Sequence, residues 1–231
     1  MKTIRKEPWS FGRRKPAQRN TDANIRSPKV DTVANQQTGF RFFLWVDAVG
    51  GFLVCRGKQI VLGQPSADGH ADVPILADVS RRHAVIRRDT GGYTIEPVHT
   101  VSIDGRRVRE IALLSDGNEI ELGSGVRLRF RRPHALSTTA RLELVSHHKT
   151  EPPVDAILLM GESCVLGPNR HSHIRCARWQ HDVILHGQGD SLRCHTTGTL
   201  QVDGHAYDAQ ASVTYDSQIE GDDFSLRLEA I

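Results

Sequence analysis

From Phe40 onward the chain alternates short apolar segments with turns. Arg41-Phe42-Phe43-Leu44-Trp45-Val46 is rich in aromatic and branched residues, Gly50-Gly51 marks a turn, and Phe52-Leu53-Val54-Cys55 reads as the returning strand. Gly57-Lys58 forms a second turn before Gln59-Ile60-Val61-Leu62. Further strand-like segments are 83–87, 93–96, 101–103, 119–122 and 126–130. The last, Val126-Arg127-Leu128-Arg129-Phe130, alternates apolar and basic residues strictly, as a strand with one buried face does. No segment sustains a 3.6-residue period over three turns. Short strands at roughly 8–12-residue spacing with glycine-rich turns predict an all-β sandwich.

The second half of the chain answers the first. Arg141-Leu142-Glu143-Leu144-Val145 repeats the character of Arg41-Phe42-Phe43-Leu44-Trp45, and Val165-Leu166-Gly167 repeats Val61-Leu62-Gly63. Ile103-Asp104-Gly105 returns as Val202-Asp203-Gly204, and the segment from Asp116 to Glu121 returns from Asp216 to Glu220. The offset stays near 100 residues, with a small insertion around Glu151-Pro152-Pro153. Two tandem β-sandwiches over 40–133 and 138–231, linked near 133–138, account for the ordered chain. Residues 1–39 hold three prolines (Pro8, Pro16, Pro28) and few large apolar side chains, so they are expected to form a disordered tail.

Composition narrows the function classes. The chain has 231 residues, 38% hydrophobic and 25% charged, and no apolar run nears the roughly 18 residues that span a bilayer, so no membrane association is expected. The segment from Met1 to Glu7 lacks the apolar core of a secretory signal. Four cysteines (Cys55, Cys164, Cys176, Cys194) without tight spacing point to a reducing cytoplasm rather than a disulfide framework. Residues 1–30 carry nine Lys and Arg against Glu7 and Asp22, a net charge of +7. Against a whole-chain charge of +3, that leaves the remainder at −4. The cluster Arg13-Arg14-Lys15 could meet nucleic acid or an acidic partner, although simple solvation is the commoner fate of such a run.

The candidate chemistry lies between Leu62 and His83. Val61-Leu62-Gly63-Gln64 is followed, after a polar loop, by Ser80-Arg81-Arg82-His83 and the apolar run Ala84-Val85-Ile86. This Ser-x-x-His pattern resembles the core signature of forkhead-associated (FHA) domains, β-sandwich modules that bind phosphothreonine peptides. The resemblance implies a phosphate held by Ser80 with a neighbouring cation, Arg81 or Arg82. It also implies that Gly63, His83 and Gly105 are structural, with His83 bracing the loops. Two ligand-holding positions depart from the family: Gln64 stands where an Arg is expected, and His99 falls at or near the position of a peptide-gripping Asn. A charge-assisted hydrogen bond contributes roughly 1.5–3 kcal/mol, so each loss weakens such a site about tenfold or more unless Arg81 or Arg82 reaches into the gap. In the second copy Gly167 precedes Pro168, Trp179 takes the Ser position and Asp182 the His position, which implies a degenerate FHA-like sandwich serving as a packing or interaction platform.

Competing chemistry is weaker. Eight of twelve histidines follow residue 138, but His171, His173, Cys176, His181, Cys194 and His195 match no zinc-ligand spacing. No activated-serine turn, P-loop or dinucleotide fingerprint occurs. The expectation is therefore a non-catalytic, cofactor-free, metal-free adaptor for protein partners, including phosphothreonine-bearing ones. The alternatives are a phosphate-independent scaffold and, less expected, a nucleic-acid-associated protein acting through its tail. Nothing in the pattern specifies an oligomeric state.

Overall fold

A computed structural model describes residues 40–134, 136–189 and 191–231, and the expectations for the basic tail lie outside this range. Every regular element among the described residues is a strand. The first half contributes β1 (Arg41–Val46), β2 (Gly50–Cys55), β3 (Gln59–Gly63), β4 (Val73–Leu76), β5 (Ala84–Asp89) and β6 (Gly92–Pro97). It continues with β7 (Val101–Ile103), β8 (Arg106–Arg107), β9 (Ala112–Leu114), β10 (Glu119–Leu122) and β11 (Val126–Arg131). The second half contributes β12 (Ala140–Leu144), β13 (Lys149–Thr150), β14 (Ala156–Leu159), β15 (Ser163–Gly167), β16 (Ile174–Arg175) and β17 (Val183–Gln188). It ends with β18 (Ser191–Thr196), β19 (Leu200–Val202), β20 (His205–Tyr207), β21 (Gln210–Val213), β22 (Gln218–Glu220) and β23 (Ser225–Ala230).

The strands form one 12-stranded sheet, β20-β19-β22-β23-β1-β2-β14-β12-β11-β10-β7-β8, flanked by β13-β4-β3-β5-β6-β9 and by β16-β15-β17-β18-β21. The long sheet is a palindrome about its centre, where β2 and β14 pair in parallel, Phe52 opposite Ala156 and Cys55 opposite Leu159. An axis along that boundary, parallel to the strands, exchanges the halves: it keeps strand direction and swaps the faces of the sheet. Accordingly β1 corresponds to β12, β2 to β14 and β11 to β23. The exception is β13, which pairs with β4 and lies beside the insertion at Glu151-Pro152-Pro153.

Neither copy's first strand lies beside the last strand of its own copy. Strand β1 pairs with β23, Leu44 opposite Leu228, and β12 pairs with β11, Leu142 opposite Phe130. The sequence repeats and the packing units are therefore different objects. Alternation along the central strands shows why. Phe42, Leu44, Phe52 and Val54 enter one core with Leu158, Leu185 and Leu226, whereas Phe43, Leu53 and Cys55 enter the other with Ile157, Leu62 and Leu128. Strands covered on both faces must be apolar throughout, and all four residues of Ala156-Ile157-Leu158-Leu159 are buried.

Turn chemistry repeats as faithfully as the strands. Asp104-Gly105 joins β7 to β8 with φ of 49° and 76°, and Asp203-Gly204 joins β19 to β20 with 51° and 78°. Two successive positive φ values define a type I′ hairpin turn, which suits Asp-Gly. Each aspartate carboxylate also accepts a neighbouring backbone amide: Asp104 from Glu119 and Asp203 from Gln218, both at 2.8 Å.

Separated from residues 138–231, a fragment of residues 40–133 loses the partners of Phe42, Leu44, Phe52 and Val54. We expect the isolated fragment to associate or aggregate, and an equimolar mixture of the two fragments to form a one-to-one complex by size-exclusion chromatography. A monomeric fragment unfolding cooperatively at the temperature of the whole chain would contradict this.

Candidate functional site

At one end of the first half, a single imidazole ties the Ser80 loop to the Thr100 loop. His83 is buried, and its Nδ1 accepts the amide of Ser80 at 3.2 Å, so Nε2 carries the proton and donates to the Thr100 carbonyl at 2.9 Å. Its backbone takes part as well: the His83 amide donates to Leu62 O, and the amides of Val98 and His99 both donate to His83 O. Gly123 closes the third side by donating to Thr100 O at 3.0 Å. Both ring nitrogens and both backbone polar groups of His83 are therefore hydrogen-bonded.

Gly63 serves this junction by close approach. A Cβ there would collide with the Arg81 carbonyl and stand 2.8 Å from the Ser80 carbonyl oxygen. The absence of a side chain lets the end of β3 lie directly under the serine loop, and Gln64 N donates to Ser80 O at 3.0 Å. Gly105 has the different task already described, holding a positive φ in its turn.

Above His83 lies an open depression of about 880 Å³, whose lining includes Ser80, His99, Thr100, Arg107, Arg109 and Asp78. The His99 ring stands 5.5 Å from that of His83. Ser80, His83 and His99 are thus brought together. Gln64, Arg81 and Arg82 are not in the lining. Gln64 and Arg81 are exposed, and Arg82 is close enough to Asp72 for its charge to act on that carboxyl. Burial raises the Asp72 carboxyl above its ordinary range, while the Val61 amide and the charges of Arg41 and Arg82 pull the other way. Sequence reasoning did not single out Arg107 and Arg109, although both sit just after the Asp104-Gly105 turn in the run Arg106-Arg107-Val108-Arg109.

The equivalent end of the second half keeps the frame and replaces the polar groups. The Val61 amide donates to the Asp72 carboxylate at 2.8 Å; its counterpart, the Val165 amide, donates to His173 Nδ1 at 2.9 Å. Arg41 donates to the carbonyls of Ala71 and Asp72, as Arg141 does to that of His173. His173 is buried, and its Nε2 meets Ser137 Oγ at 2.8 Å. Burial first, then the charges of His134 and Arg141, lower its pKa to about 4. Trp179 is buried, its ring 5.3 Å from Phe224, so it belongs to the core. Asp182 packs against Gly167 and keeps Oδ1 buried without a hydrogen-bond partner. Burial pushes the thiols of Cys176 and Cys194 up to about 12. Among the described residues, no group of three or more His, Cys, Asp or Glu converges as metal ligands would, and no helix is long and apolar enough to cross a membrane.

Comparison with known proteins agrees with this geometry. Residues 60–123, which span β3 through β10 and every loop around His83, match the family model of the FHA domain. This stretch of the first half therefore carries an FHA domain, a module of a phosphopeptide-binding, generally non-catalytic interaction family. Among solved structures, the chain is 28% identical to the FHA-2 domain of an ABC transporter from Mycobacterium tuberculosis, with a TM-score of 0.27. That match covers 31% of this chain and 66% of the other. No curated protein matches the chain.

Because the Gly63 site has no room for a Cβ, Gly63→Ala is expected to push the Ser80 loop outward and cost roughly 1–3 kcal/mol of stability in denaturant unfolding. Unchanged stability would show that the loop yields freely.

Proposed function

We propose that this chain is a non-catalytic cytoplasmic adaptor that recognises phosphothreonine peptides at the depression beside Ser80. The observation that carries the reading is the convergence of Ser80 and His99 on one open polar surface beside buried His83. A phosphothreonine carries nearly two negative charges and three strong acceptor oxygens. Ser80 would donate to one of those oxygens, and Arg81, exposed on the same loop, would add long-range attraction. Under this reading residues 40–133 and 138–231 are duplicated FHA-like units that exchange strands. The second unit acts as a platform without a phosphate site.

A phosphate-independent scaffold is the second reading. It draws on Gln64 in place of a cation, and on the Pro168, Trp179 and Asp182 end of the second half. The cytoplasmic assignment draws on four cysteines that are all free and buried.

Titrating a degenerate phosphothreonine peptide pool against the wild-type chain and Ser80→Ala discriminates the readings. Phosphate-dependent binding that falls at least about tenfold in Ser80→Ala is expected. Binding that ignores both the phosphate and the substitution would leave the scaffold.

A further inference from the structure

A peptide phosphate needs a cation within reach, and the position after Gly63 holds an uncharged Gln64. The depression beside Ser80 instead has two arginines in its lining. Arg107 and Arg109 both line it, and both are exposed. Among the described residues neither makes an ion pair or a side-chain hydrogen bond, so neither is committed to holding the fold. Their placement follows from the backbone. Ser102 pairs with Arg107 in the β7–β8 hairpin, and the Val108 amide donates to Val101 O at 2.9 Å, keeping the chain extended past the end of β8. Val108 packs against the core. In an extended segment its two neighbours then share the side away from the core, and this short run as a whole lines the depression.

The second half supplies an internal control. Ala206 pairs with Gln201 as Arg107 pairs with Ser102, and two residues on Asp208 stands in place of Arg109. The hairpin folds the same way with a methyl group and a carboxylate at these positions, so the fold does not require the two cations. The first half carries them only where Ser80 and His99 face the same depression. Asp78 is the one acidic side chain in that lining, and two guanidiniums outweigh it.

We propose that Arg107 and Arg109 form the cationic grip for the phosphate dianion of a bound phosphopeptide, so that the grip lies after the β7–β8 turn instead of at the end of β3. The proposal rests on the reading of the depression as a phosphothreonine site. Guanidinium is suited to the task because its fixed fork of donors matches phosphate oxygens in pairs.

The test uses the full chain and a fluorescent phosphothreonine peptide pool, with the unphosphorylated pool as control, at two salt concentrations. Arg107→Ala and Arg109→Asp write the second half's residues into the first, and thermal unfolding confirms that each variant remains folded. Each variant is expected to weaken phosphopeptide binding by about tenfold or more, and the double variant to flatten its salt dependence. If the double variant binds like wild type while Ser80→Ala does not bind, the arginine assignment is wrong and the phosphopeptide reading stands. If Ser80→Ala also binds like wild type, or if wild type does not distinguish the two pools, the reading of the depression fails and the arginine assignment falls with it.

Discussion

The structure depends on the parallel pairing of β2 with β14. These two strands, flanked by β1 and β12, form the middle of a sheet with a hydrophobic core on each face. Parallel neighbours have to be covered on both sides, because their apolar side chains project alternately to both. Each outer sheet covers one face, so neither core is complete without strands from both halves of the chain. Removing water from both faces of β2 and β14 contributes more per residue than a one-sided strand does, since stabilisation follows apolar area buried. The shared central sheet thus joins both halves of the chain in one three-layered arrangement of strands.

The site depends on that body at one remove. Strand β3 belongs to an outer sheet and β7, β8 and β10 to the central one, and His83 bridges the loops between them. The same frame recurs on the other side of the pseudo-symmetry axis. There, too, an aspartate closes the hairpin turn, an arginine holds a loop carbonyl, and a buried side chain caps the β15 amide. The groups facing solvent are what diverge. Backbone-satisfying contacts persist because a buried unpaired amide is costly wherever it occurs. An exposed guanidinium has no such constraint, and Arg107 and Arg109 face Ala206 and Asp208 across the symmetry.

Local chemistry was legible in the sequence, and long-range partners were not. Alternation in Val126-Arg127-Leu128-Arg129-Phe130 announces a strand with one buried face, and the two Asp-Gly pairs announce their turns. The spacing from Gly63 to Ser80 and His83 announces the loop junction. The exchange of first strands was invisible, because alternation sets which face a side chain takes and says nothing of which strand lies beside it. Ala156-Ile157-Leu158-Leu159 is too short and too uniformly apolar to declare a period, yet it lies at the centre of the fold. Arg107 and Arg109 escaped notice because a basic run after a turn looks like a solvated edge until it is found to line the same depression as Ser80.

Native-state amide hydrogen exchange across the β2–β14 boundary tests the shared-sheet account most directly. Amides of Phe52–Cys55 and Ala156–Leu159 that donate within the sheet are expected to exchange only through global unfolding, with one common free energy in both strands. Exchange in either strand at a distinctly lower free energy, with its outer sheet opening independently of the other, would contradict it.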